Sequence, residues 1–276
     1  MFELLRDNIG EKEESHWKNK LLLRRLNVEH REVARLVIDS PGDWLLKKSA
    51  SITPSSSLIT LPTDCIKPAY LEEVSSGRPI PIRGTVRERR VGGQNFQSGD
   101  LEAHFFGNYL EVGVSSYSTA VYVWYQPRIP DLHCGSCGNG TGTTTIVFEA
   151  VNWPNGQDDY YNDSYVEVRD KTSNVLNARQ LITDYVGATF TATIAAAAVA
   201  PIVNDYYGTV SLLPDELHNW VVMRATVRAL AKPSSTFEKE IFSFWRAELK
   251  TAKEEAEEFL ATRFDGNIYT RITEAY

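Results

Sequence analysis

The stretch Leu213–Arg263 carries the most consistent local signals in the chain, and any fold must accommodate it. It reads as two consecutive helices. Pro214-Asp215-Glu216 opens the first, with proline where its missing N–H costs nothing and acids beside the positive helix end. Leu217, Trp220, Met223, Val227 and Leu230 recur at spacings of three and four and make one apolar face. Pro233 stops this helix. Ser235 and Glu238 form a capping box for the second, whose apolar face runs through Ile241, Trp245, Leu249, Ala252, Ala256 and Phe259.

A third helix is expected from Glu11 to about Ile38. Leu22, Leu26, Val33 and Val37 mark one face, and Lys18, Arg24, Arg25, Arg31 and Arg35 the other. Glu29, Glu32 and Arg35 read as a solvated or intersubunit face. Pro41-Gly42 ends it. Strand-like pieces follow. Leu58–Leu61 stops at Pro62, and Gly77–Ile82 reads as the return strand of a hairpin, with prolines that suit an edge. Tyr109–Val114 and Ala120–Tyr125, separated by a short polar connection, predict a further hairpin.

At His133 the texture changes to a glycine-rich run and then five short strand-like segments, Thr144–Ala150, Tyr165–Val168, Gln180–Asp184, Thr189–Ile194 and Tyr206–Leu212. Such spacing suggests a small sandwich or barrel. Ile194–Ala200 reads as strand and loop. The expected fold class is α+β: a helical body, made of the N-terminal helix and the C-terminal helical pair, with a small antiparallel sheet and an inserted β-sandwich-like domain. The expected boundaries are a discontinuous core at 1–132 and 211–276, an insert at 133–210, and a tail at 265–276 within the core segment.

Composition narrows the function. A hydrophobic share of 42% supports a buried core, and a formal charge of −7 argues against a general nucleic-acid coat. Three cysteines make no disulfide scaffold, and the N-terminus lacks the basic and apolar regions of a signal peptide. The longest weakly polar run, Ala192–Val203, is too short to span a bilayer and is broken by Pro201. A soluble protein made in the cytoplasm is expected, with no membrane partner.

The search for chemistry is mostly negative. There is no Gly-x-Ser-x-Gly elbow, phosphate loop or His-Glu-x-x-His, and His16, His30, His104, His133 and His218 lie in separate contexts. No enzyme and no cofactor is expected. Cys134 and Cys137 leave three readings open: half a zinc site, a disulfide or redox pair, and free thiols in a glycine loop. The oxygen-rich loop Asp158–Asp163 is a weak calcium candidate without EF-hand spacing. Arg83, Arg87, Arg89 and Arg90 form a basic loop, read either as plain surface or as a finger toward an acidic neighbour or DNA.

Several segments in their chain order carry a resemblance. Arg31-Glu32-Val33-Ala34 through Trp44-Leu45-Leu46-Lys47-Lys48, then Ile59-Thr60-Leu61-Pro62-Thr63-Asp64, resembles head-to-tail adaptor (connector) proteins of tailed bacteriophages. Phe106–Val112, Val121–Pro127 and Leu213–Trp220 are similar to that family's sheet and closing helices. Tyr160–Val168 and Ala178–Thr189 resemble a β-module of phage structural proteins, with Asp163 where the family form often has glycine. The resemblance implies a non-catalytic virion protein of the neck. Its partners would be the portal protein, neighbouring adaptor subunits in a dodecameric ring, tail or tail-terminator proteins, and genome DNA bound without sequence specificity. Contact with a portal or neighbour is expected at Glu254, Glu255 and Glu258 and at the tail residues Ile268, Tyr269, Ile272 and Tyr276. The competing expectation is an accessory receptor- or glycan-binding module, with the insert as its ligand domain.

Overall fold

The computed structural model describes residues 1–10, 17–40, 45–85, 101–114, 116–231 and 239–262. The chain divides into two compact units, Met1–Gly42 with Ile129–Tyr276, and Asp43–Arg128. The strands of 133–210 thus share a unit with the helices, and the sheet of 43–128 stands as a unit of its own.

The unit Asp43–Arg128 holds a seven-stranded sheet. Its strands are β1 (Lys47–Lys48), β2 (Leu58–Thr60), β3 (Cys65–Glu73), β4 (Pro79–Thr85), β5 (Ala103–Phe106), β6 (Tyr109–Val112) and β7 (Val121–Pro127). Their order is β1-β7-β3-β4-β5-β6-β2, and β4 with β5 is the parallel pair. Alternation decides which residues enter the core: Val121, Val123 and Tyr125 of β7 are buried while Tyr122 and Trp124 are half-exposed. Ile59, Leu71, Ile80, Leu110 and Val112 complete this core.

Two expectations fail here. The hairpin expected between Tyr109–Val114 and Ala120–Tyr125 does not form, because β6 pairs with β5 and β2 while β7 pairs with β3 and β1. Strand β4 is also no edge, since β3 and β5 flank it. Its prolines fit for another reason. The bond from Glu73 N–H to Arg78 C=O sets the antiparallel alternation, which turns the nitrogens of Pro79 and Pro81 away from β3. Pairing with β5 begins only at Ile82.

The other unit holds a second, six-stranded sheet: β8 (Cys134–Ser136), β9 (Thr145–Val147), β10 (Tyr165–Arg169), β11 (Leu176–Val186), β12 (Thr191–Ile194) and β13 (Tyr206–Thr209), in the order β8-β13-β10-β11-β12-β9. The residues expected as a glycine loop at 134–136 are its edge strand. Ile194–Ala200 leaves the sheet as loop after Ile194. Strand β11 is long enough to pair with β10 through its first half and with β12 through its second. Phe148, Tyr161, Tyr207 and Tyr185 of β11 pack ring against ring in the core of this unit.

The same unit carries four helices: α1 (Phe2–Asn8), α2 (Asn19–Asp39), α3 (His218–Leu230), preceded by a 3-10 turn at Asp215–Leu217, and α4 (Lys239–Thr262). Helix α1 has no counterpart among the sequence expectations. The capping box at Ser235 and Glu238 and the proposed helix end at Pro41-Gly42 lie outside the described residues.

Among the described residues, thirteen strands in two large sheets against four helices overturn the expected fold class of a helical body with a small sheet. Helices of 21 and 24 residues announce themselves by long periodic runs. Strands of two to four residues carry little signal singly, yet they are eight of the thirteen described strands.

Candidate functional site

The surface most completely built for recognition lies on the helices of the unit containing both termini. Its support comes from within. Helix α3 is buried around much of its circumference, through Leu217 just before it and Trp220, Val221, Val222, Ala225, Thr226 and Ala229 along it. It packs against α1, α2 and α4.

One carboxylate ties α2 to α3. Glu29 is 1% exposed; one oxygen accepts from Arg224 Nε at 2.7 Å and the other lies 2.8 Å from an Arg228 terminal nitrogen as an ion pair. Arg25 adds a bond to the Arg228 carbonyl at 2.8 Å. The sequence places Glu29 on a solvated face. The structure corrects that, and the signal was present: Glu29 stands between Leu26 and Val33 on the apolar stripe.

Asn27 ties α2 to the chain entering the second sheet. Its side-chain amide donates to the Leu132 carbonyl at 2.8 Å, and its oxygen accepts from Leu132 N–H at 2.7 Å. His30 is fully buried, with Nε2 2.8 Å from Ser211 Oγ. Burial, the nearby His218 and Arg31 together push its pKa down to about 4. His218, at the start of α3, sits with Nε2 3.0 Å from the Leu213 carbonyl and Nδ1 3.4 Å from an Asp215 oxygen.

With α2 and α3 locked together, the outward side of α2 is basic. Lys20, Arg24, Arg31 and Arg35 are exposed, together with Leu21 and Leu36. Arg31 also reaches Asp131 at 3.3 Å. Helix α4 buries Ala252 and Ala256 and half-buries Trp245, Leu249 and Phe259. Ile241, expected on that buried face, is instead 45% exposed, beside Phe244 at 55%. Beyond them α4 turns acidic, and Glu248, Glu254, Glu255, Glu257 and Glu258 are all exposed. Glu254 and Glu257 pair with Lys250 and Lys253 one turn back.

The structure therefore places Glu254, Glu255 and Glu258 within the last three turns of α4. Ile268, Tyr269, Ile272 and Tyr276 lie outside the described residues, as do Arg87, Arg89 and Arg90. Arg83 is on β4 and pairs with Glu102 at 2.9 Å.

The remaining candidates have structural occupations. Cys134 and Cys137 are free thiols, each held up near 12 by burial. Among the described residues no three His, Cys, Asp or Glu side chains converge to hold a metal. In the oxygen-rich loop, Asp158 accepts from Gly187 N–H at 2.8 Å and Asp159 from the Asn162 amide at 2.8 Å. These bonds fasten the loop, in which Asp159 and Asp163 adopt left-handed backbone conformations.

An open groove of about 1000 Å³ runs past α1, the start of α2 and the β8–β13 edge. His133 lies at its floor, stacked on Phe148 and Tyr207. The Tyr207 hydroxyl accepts Glu149 N–H at 2.8 Å and shares a second hydrogen bond, also 2.8 Å, with His133 Nδ1. Nε2 makes no hydrogen bond among the described residues, although the Asn152 backbone lies near enough to oppose partly the lowering of the pKa. Burial dominates and takes it to about 4. The β8 edge itself is closed by side chains, with Ser136 N–H bonded to Glu149 and the Cys134 carbonyl to Asn152.

Among the described residues, no helix is long and apolar enough to cross a membrane. No protein-family model matches the chain, and the curated proteins contain no match to it.

Proposed function

We propose that this chain is a structural virion protein, a head-to-tail adaptor that assembles as a ring beneath the portal, prolongs the DNA channel and docks the tail. One observation carries the reading beyond the sequence resemblance. The helices of the first unit are braced internally by Glu29 and Asn27, yet they turn a basic face, an acidic face and the apolar side chains Ile241 and Phe244 to the surface. A rigid surface of this composition suits repeated protein contact, with large apolar anchors among charges. Contacts between unlike faces of identical subunits close into rings when the rotation permits.

In this reading the ring is not a helical body alone, because both sheets contribute most of the described strands and cores. The partners are the portal, neighbouring copies, tail or tail-terminator proteins and, in the channel, genome DNA without sequence specificity. The protein's place is the virion neck, and its role needs neither catalysis nor a cofactor.

Electron microscopy of the purified protein, alone and mixed with DNA-filled tailless heads, tests this. Rings of uniform diameter, free or seated at the portal vertex, are expected. Protein that neither forms rings nor attaches to heads overturns the reading. Calcium-dependent glycan binding by such monomers would replace it with the accessory-module alternative.

A further inference from the structure

The exposed faces of α2 and α4 carry matched patterns. On α2, Arg24, Arg31 and Arg35 stand at intervals of seven and four, and on α4, Glu248, Glu255 and Glu258 stand at intervals of seven and three. Seven residues are close to two turns, so each triplet occupies one side of its helix. All six side chains are exposed. Arg24, Arg35, Glu248, Glu255 and Glu258 have no ion-pair partner among the described residues, while Arg31, itself exposed, lies 3.3 Å from Asp131 and donates through Nε to the Asn27 carbonyl at 3.2 Å.

The match extends to the apolar residues in the same register. Ile241 and Phe244 precede Glu248 by seven and four residues. Trp17, in the turn entering α2, precedes Arg24 by seven, and Lys20 and the exposed Leu21 precede it by four and three. When Glu248 is set beside Arg24 with both helices in the same direction, Glu255 meets Arg31, Glu258 meets Arg35, and Ile241 and Phe244 cover Trp17 and Leu21.

The direction required is the one the fold supplies. Arg25 reaches Arg228 and Glu29 reaches Arg224, so α2 runs antiparallel to α3. Helix α4 contacts the 3-10 turn that precedes α3, so it runs back along α3. Helices α2 and α4 of one subunit are therefore parallel. Rotation about an axis lying along the helices preserves direction, and α4 of one subunit then meets α2 of the next in parallel.

We infer that α4 of one copy of this chain packs lengthwise on α2 of the next copy, with Glu248, Glu255 and Glu258 against Arg24, Arg31 and Arg35 and with Ile241 and Phe244 over Trp17 and Leu21. The inference rests on the ring reading and names the contact that closes the ring. The helices fit in length, about 31 Å for α2 and about 36 Å for α4 at the standard rise. Opposite charges along such a seam fix register, and like charges there oppose association strongly.

Two full-length variants test it: R24E/R31E/R35E and E248R/E255R/E258R. Assembly is measured by sedimentation velocity at low salt and by electron microscopy with DNA-filled heads, with circular dichroism to show that each variant is folded. Each variant alone should lose ring formation, with self-association weakened at least about a hundredfold. An equimolar mixture should regain rings, because alternation restores every seam. A chain carrying both sets should regain them as well. Wild-type rings that persist in both folded variants would sink the seam and leave the adaptor reading standing. Wild-type protein that forms no ring, free or on heads, would sink both. If one variant fails to fold, the salt response of the wild type decides: dissociation on raising salt from low to about 0.5 M supports the seam, and indifference to salt rejects it.

Discussion

Glu29 illustrates how one residue joins two long helices. Replacing it by alanine removes the carboxylate shared by Arg224 and Arg228. Because both guanidinium groups keep partial access to water, the loss should be near that of a charged hydrogen bond, about 2 kcal/mol, and well short of that for a fully buried pair. Urea unfolding of Glu29→Ala reads this directly, and a change below about 0.5 kcal/mol would contradict the brace. His30 and His133 set a pH dependence. Both are held neutral by burial, with folded pKa values of about 4 against an ordinary value of 6.5. Between those values the unfolded chain binds more protons, so their contribution to stability is complete above about pH 6.5 and is lost as pH falls toward 4. At pH 5 the wild type should be less stable than at pH 7 by about 2 kcal/mol per histidine. His133→Gln should remove about half of that difference, measured as the change in unfolding free energy between the two pH values.

At the scale of elements, turns that look alike in sequence carry different loads. Gly187 ends β11, and a Cβ there would lie 2.2 Å from the Gly156 carbonyl oxygen, with the backbone of Gln157 close behind. Backbone cannot rotate aside as a side chain can. Gly187→Ala should therefore cost more than about 2 kcal/mol in thermal or urea unfolding. At Gly156 a Cβ meets nothing within 4 Å, and Gly156→Ala should change stability by less than about 0.5 kcal/mol. Helix α2 shows what periodicity does reveal: Leu22, Leu26, Val33 and Val37 are all buried, as their spacing requires. Glu29 falls on the same stripe, but its residue type reads as solvated, because a carboxylate enters an apolar face only when a partner helix brings arginines to meet it. Helix α4 shows the converse, for Ile241 has the right spacing for burial but no neighbour among the described residues to cover it.

For the whole molecule, stability and assembly should be separable. Phe244 is more than half exposed and contributes little to the core, whereas the proposed seam uses it as an anchor. Phe244→Asp should leave the unfolding free energy within about 0.5 kcal/mol of wild type and still abolish rings in sedimentation and microscopy. Equal loss of folding and assembly would show that its role is internal. The sequence alone determined the apolar faces of the three long helices, though the first begins at Asn19 and not at Glu11, the alternation that separates core from surface in β7 and β10, and the charged residues on α2 and α4, since these follow from local periodicity and chemistry. Only the tertiary structure decided which strands pair, that two large sheets rather than a helical body dominate the described chain, and that α2 and α4 run parallel. Strand order depends on hydrogen bonds between residues far apart in sequence. Periods and propensities of single segments hold no record of those partners.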